Sequence, residues 1–219
     1  MILAGQVTVN GQVVSKAGAQ IDPAADVAVL APDHPYVGRG GIKLAHALDT
    51  FGISVQGREA LDIGASTGGF TDVLLQRGAT RVVALDVGHG QLDWRLRNDP
   101  RVLVIEHFNA RHLTPADLPG PVDVVCIDVS FISLRHILPV IPPIVRPRAD
   151  VVALVKPQFE AGRREAGAGV VRDQAIHARV VDEIRDAGAA VGLTPAGVAP
   201  SPITGQKGNI EFLLHLRAS

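Results

Sequence analysis

From Glu59 onward the sequence alternates short, nearly continuous runs of Val, Ile, Leu and Ala with segments of helical pattern. Apolar runs without an in–out alternation suit strands covered on both faces, as in a parallel sheet between two helical layers. Runs at 60–63, 81–86, 102–106, 122–128, 151–155 and 210–216 read as strands. Helical patterns occupy 42–51, 70–77, 91–97, 134–145 and 174–187, the fourth carrying Pro139 and Pro142. Asp173 is placed to cap the last helix and Gly188 to stop it. The economical arrangement is an α/β, doubly wound, mostly parallel sheet with right-handed crossovers.

Residues 1–31 read differently. Asn10-Gly11 lies between alternating segments, the signature of a two-residue hairpin. One hairpin is too small to stand alone, so 1–31 is expected to be part of a small β module. A linker and leading helix follow over 32–58, and 59–219 forms the main domain. Charge narrows the partners: 21 basic against 22 acidic residues give a net −1, without the basic surplus usual in nucleic-acid binders. The one cysteine, Cys126, sits inside an apolar run and reads as core, which excludes a disulfide scaffold. No apolar run approaches the roughly 18–20 residues of a membrane span, and the first residues lack the pattern of a signal peptide, so the expected setting is cytoplasmic. The eight histidines show no metal-ligand spacing, and no metal is expected.

Two acids and a glycine loop mark the first strand–helix junction. Asp62 and Gly64, Ala65, Ser66, Gly68, Gly69 and Phe70 follow a D-x-G-x-x-x-G-G spacing, not the G-x-G-x-x-G of dinucleotide sites. An acid at the strand end suits a sulfonium cofactor such as S-adenosylmethionine better than a pyrophosphate. Asp86 ends the second strand, where it can accept hydrogen bonds from ribose hydroxyls.

Three further strand ends carry charge where a covered sheet should avoid it: Asp128, Lys156 and Glu211. Strands that are neighbours lie about 4.8 Å apart, which lets such side chains meet at one sheet edge. Lys43, at the start of the leading helix, can complete two carboxylates and two lysines. On residue chemistry alone, a catalytic set and a structural ion-pair network both remain open.

The segments Tyr36–Leu44, Asp62–Phe70, Asp86–Trp94, Asn109-Ala-Arg111, Asp128–Ser133, Val155–Glu160 and Ser201–Gly205 through to Glu211 resemble, in order, the FtsJ-like ribose 2′-O-methyltransferases. Within these the chain is similar to the TlyA (haemolysin A) family of ribosomal RNA methyltransferases. The resemblance implies a Rossmann-like S-adenosylmethionine-dependent fold acting on ribose 2′-hydroxyls of ribosomal RNA, with cytidine as the nucleotide. It makes Lys43, Asp128, Lys156 and Glu211 a Lys-Asp-Lys-Glu catalytic tetrad. It places S-adenosylmethionine against Asp62, Gly64, Ala65, Ser66, Gly68, Gly69, Phe70, Asp86, Val87, Asn109 and Asp128. It also makes 1–31 the closing half of an S-four-type RNA-binding module whose first half is absent before Met1. Typical relatives have Ser at Gly38, which touches only the local loop.

In such a site Lys156 is central: as a base if neutral, or as a charged group that orients the hydroxyl and stabilises developing alkoxide. An amino-methylating enzyme is the nearest rival, but Asp128-Val-Ser-Phe131 lacks the two prolines of its motif. An RNA-binding protein without activity, and a membrane-active haemolysin, are the alternatives from other classes. Ribosomal RNA or ribosomal subunits are the expected partners. Arg39, Arg163, Arg164 and Arg172 are the expected RNA contacts, the last three around a glycine-rich loop at 158–169. Trp94 reads as core and His89 as a packing residue.

Overall fold

The computed structural model describes residues 7–14, 16, 18–29, 34–167 and 169–219. The chain divides into two units, 1–35 and 36–219. In the first unit β1 (Val7–Val9) pairs antiparallel with β2 (Gln12–Val13) and with β3 (Val27–Val29). Asn10 and Gly11 turn between β1 and β2 with φ of 50° and 78°, the left-handed pair that a tight hairpin of this hand requires.

The second unit starts with α1 (Gly40–Phe51) and continues through β4 (Glu59–Ile63), α2 (Gly69–Gln76), β5 (Arg81–Leu85), α3 (Trp94–Arg97), β6 (Val102–Ile105) and β7 (Val122–Ile127). It ends with β8 (Val145–Val155), α4 (Pro157–Glu160), α5 (Arg163–Ala166), α6 (Gln174–Ala190), β9 (Leu193–Pro200) and β10 (Phe212–Ala218). The sheet order is β6-β5-β4-β7-β8-β10-β9. The first five strands are parallel, and β10 runs antiparallel between β8 and β9. Strand order reverses at β4, which has β5 on one side and β7 on the other; ligand crevices of open α/β sheets form at such a point, beyond the carboxyl ends of the strands.

Both faces of the sheet are covered, as the unbroken apolar runs require. In β8, Val151, Ala153 and Val155 pack with Val180 and Ile184 of α6, while Val152 and Leu154 pack with Leu44 and Leu48 of α1 and Leu74 of α2.

Several expectations change. The pattern at 134–145 is not a helix but three short 3-10 turns, Leu134–His136, Leu138–Val140 and Pro142–Ile144. Prolines 139, 142 and 143 have no N–H to donate, so an α-helical ladder cannot form, yet Leu134, Leu138, Ile141 and Ile144 still reach the core. The strand expected at 151–155 begins at Val145, and β9 was not foreseen at all. That strand holds Pro195 and Pro200 and is mostly exposed, which an edge position allows. Helix α6 runs through Gly188 to Ala190. The helix expected at 91–97 is a single turn from Trp94, and Trp94 is 71% exposed instead of core. Among the described residues no helix is long and apolar enough to cross a membrane.

Candidate active site

At the switch point the ends of β4 and β7 come into close contact. Asp128 N donates to Ile63 O at 2.9 Å, and Gly64 turns away with φ +87°. A Cβ on Gly64 would lie 2.3 Å from Asp128 O, so only glycine allows this approach. Beneath the loop, Asp62 is fully buried and accepts from Thr71 N at 2.9 Å and Thr71 Oγ1 at 2.7 Å, fastening the strand end to the first turn of α2. Among the described residues its Oδ1 has no hydrogen-bond partner. Burial lifts its pKa to about 7, with the Asp128 and Asp86 charges adding to that and the Thr71 hydrogen bonds opposing it.

Over the carboxyl ends of β4, β5 and β7 opens a cavity of about 630 Å³. Of the residues expected around a cofactor, Gly64, Ser66, Asp86, Val87, Asn109 and Asp128 line it. Ala65, Gly69 and Phe70 line an adjoining cavity of about 130 Å³. Asp62 and Gly68 line neither. Asp62 lies under the loop, and a Cβ on Gly68 would strike Leu96 Cδ1 at 2.2 Å, so that glycine admits α3 against the loop. The Asp86 carboxylate is held in place by Ser66 N at 2.8 Å on one oxygen and Gly88 N at 2.7 Å on the other. Asn109 caps the turn Ala110–His112 by accepting from Arg111 N.

The charged strand ends converge because β7, β8 and β10 are neighbours. Lys156 follows β8, and its Nζ lies 2.6 Å from Asp128 Oδ1, just after β7. That contact is an ion pair without hydrogen-bond alignment; the aligned partner of Lys156 is Ser130 Oγ, at 3.0 Å. Glu211 precedes β10, whose Phe212 pairs with Val155, so antiparallel register sets Glu211 beside Lys156. Lys43 Nζ reaches over from α1 to donate to Glu211 Oε2 at 2.5 Å. Gly205 makes room for this carboxylate: a Cβ there would lie 2.0 Å from Glu211 Oε1. The result is two buried lysines, each paired with a carboxylate, at one sheet edge.

Sequence reasoning assigned no role to Ser130, Phe131, Gln91, Phe108, Arg111 or Gln206, all on the cavity wall. Ser130 and Phe131 had a signal, since they directly follow Asp128 where β7 stops; Gln206 had none. Phe131 is 86% exposed, has φ +63° and stacks at a tilt on Phe159, centroids 5.0 Å apart. Arg39 and Arg172 are exposed. Arg163 and Arg164 belong to α5, and their side chains lie outside the described part of the structure. The glycine-rich loop at 158–169 largely takes the form of two helical turns, α4 and α5. His89 stacks on His107, centroids 4.5 Å apart. Burial drives the Cys126 thiol well above its usual range, which removes it as a nucleophile. A side chain at Gly38 would press on Thr67 Oγ1 at 2.8 Å.

Comparison with known proteins agrees with this layout. Residues 36–218 match the model of the FtsJ-like methyltransferases. The chain is 49% identical to the 16S/23S rRNA (cytidine-2′-O)-methyltransferase TlyA of Mycobacterium tuberculosis, across 99% of this chain and 82% of that one. A solved protein of Streptococcus thermophilus that carries a hemolysin name superposes with a TM-score of 0.87 at 46% identity, over 100% of this chain and 80% of the other. An S-adenosylmethionine-dependent methyltransferase of Mesorhizobium loti shares the fold at 15% identity and a TM-score of 0.62, over 82% of this chain and all of that one. A parallel sheet with a crevice at its switch point, a family match over 36–218 and near-half identity along the whole length have one reading: the chain belongs to the FtsJ-like methyltransferases, in the TlyA and hemolysin A group.

Proposed function

We propose that the protein transfers a methyl group from S-adenosylmethionine to a ribose 2′-hydroxyl of ribosomal RNA, with cytidine as the target nucleotide. The observation that carries this reading is Lys156, held between Asp128 and Ser130 where both line the cavity. The wall fits the cofactor: Asp86 offers a fixed carboxylate to a ribose diol, and Val87 and Phe108 offer apolar faces. When bound, S-adenosylmethionine supplies an electrophilic methyl on a sulfonium.

The residues supply the rest. Lys156, paired with Asp128, orients the acceptor oxygen and stabilises the negative charge that develops on it, while the hydroxyl proton passes to water late in the transfer. The Lys43–Glu211 pair, next to Lys156 through the β8–β10 register, keeps the second carboxylate compensated and ordered. Phe131 presents an exposed ring on which a base lifted out of its stack can rest. Arg39, Arg163, Arg164 and Arg172, together with the 1–31 module, bind the RNA backbone. A ribosomal substrate places the protein in the cytoplasm.

The test is Lys156→Ala, read by transfer of labelled methyl to ribosomal RNA and by calorimetry of cofactor binding. Transfer is expected to fall about 10²–10³-fold while cofactor affinity stays nearly unchanged. Equal loss of both would remove Lys156 from the chemistry. RNA binding by the wild-type protein without any transfer would favour a binding protein instead.

A further inference from the structure

The segment Lys156-Pro-Gln-Phe-Glu160 ends in a carboxylate that the chemistry above does not use. Glu160 closes α4 and is 8% exposed. Leu134 N donates to its Oε1 at 2.8 Å, and Ser133 Oγ donates to its Oε2 at 2.5 Å. The turn that follows β8 thus grips the far end of the loop that follows β7. That loop, residues 128–133, carries Asp128 and Ser130, the two partners of Lys156. Lys156 is itself the residue that precedes α4. One helical turn therefore holds Lys156 at its start and anchors the loop of Lys156's partners at its end.

Two observations set this apart from ordinary capping. Ser133 already caps the turn Leu134–His136 by accepting from Arg135 N, so Glu160 is not needed to start that turn. The loop also contains Phe131 in a left-handed backbone conformation that bulky residues rarely adopt, and such a conformation persists only where the surroundings enforce it. Phe159 of the same α4 turn supports the Phe131 ring. Burial raises the Glu160 carboxyl above its usual range, while Leu134, Ser133 and the nearby Arg135 and His136 pull it back down.

We propose that Glu160 is a positioning residue for methyl transfer, acting through Ser133 and Leu134 to hold loop 128–133 so that Asp128 and Ser130 present Lys156 to the acceptor hydroxyl. The proposal rests on the transfer reading above, and its test separates the two. Glu160→Ala, Glu160→Gln, Ser133→Ala and the double Glu160→Ala/Ser133→Ala are compared for kcat, for KM toward RNA, for cofactor affinity and for amide exchange over 128–136. Glu160→Ala is expected to lower kcat about tenfold or more, with cofactor affinity held within about twofold. Glu160→Gln keeps an acceptor for Leu134 N and is expected to recover part of the rate. The double variant is expected to be no slower than Glu160→Ala alone, because both changes cut one linkage. Faster exchange at Leu134 is expected in both Glu160 variants, larger for Ala. Additive effects in the double variant, joint loss of kcat and cofactor affinity, or unchanged exchange would each overturn the proposal. A wild-type protein that methylates no ribosomal RNA would end the transfer reading, and the exchange measurement would still decide whether Glu160 holds the loop.

Discussion

Asp62 shows how much one residue's surroundings decide what it can do. An acid ending the first strand was readable from sequence, but its hydrogen bonds were not: one carboxylate oxygen accepts from both Thr71 N and Thr71 Oγ1 beneath the loop. Burial and the Asp128 and Asp86 charges place its pKa near 7, above the unfolded value. The stability contributed by its neutral form is therefore fully present below about pH 4 and is lost as pH rises through about 7. Asp62→Asn stays neutral and keeps an acceptor for Thr71. Relative to wild type it is expected to gain stability, on the order of a few kcal/mol, between pH 4 and pH 8 in urea unfolding. A difference that does not change with pH would show that the carboxyl is already ionised at pH 4. By contrast, Lys43, Asp128, Lys156 and Glu211 were legible as a group because each is a charge at an apolar boundary. Phe131 carried a positional signal, following Asp128 where β7 stops, but nothing in a one-dimensional pattern marks a residue held at positive φ.

Elements whose ends are set by local chemistry were the easier ones to foresee. Asp173 caps α6 by accepting from Ala175 N at 2.8 Å, as its place in the sequence suggests. Asp173→Ala is expected to cost about 1 kcal/mol in chemical unfolding without moving the midpoint of cofactor binding. A loss near zero would mean that packing alone fixes the start of α6. Elements decided by tertiary packing were misjudged. Gly188 looks like a stop, yet a Cβ there would lie 2.9 Å from Leu216 Cδ1, so it serves the close approach of α6 to β10. The prolines of 134–145 turned an apolar helical pattern into a staircase of 3-10 turns that buries the same side chains. β9 escaped notice because an edge strand carries neither a continuous apolar run nor a clean alternation.

Across the whole molecule, charge is gathered at two places in the sheet for different ends. Away from the cavity, Asp150 in the middle of β8 meets His215 Nε2 at 2.9 Å, Arg58 Nη1 at 2.8 Å and Arg217 Nε at 3.2 Å. Burial alone would raise the Asp150 pKa, but these three partners outweigh it and hold it well below the usual carboxylate range. Its contribution is thus fully present above the unfolded value of about 3.9 and fades as pH falls below it. Asp150→Asn is expected to cost about 3 kcal/mol at pH 7 and clearly less only at pH 2, nearer the depressed folded pKa, as urea midpoints at the two values would show. An equal cost at both would mean that shape, not charge, matters there. The doubly wound sheet was legible because apolar runs and their spacing suffice to specify it. The antiparallel insertion of β10 was not, and it has a bearing on synthesis. Lys43 leaves the ribosome early, while its partner Glu211 arrives 168 residues later, in front of the last strand to join the sheet. Most of the cavity wall is made by residue 137, yet the second ion pair waits for β10 to slot between β8 and β9. In a chain growing from its N-terminus, nearly all of the cavity wall is therefore present in sequence well before the Lys43–Glu211 pair can form, and that pair is among the last contacts the sheet can make.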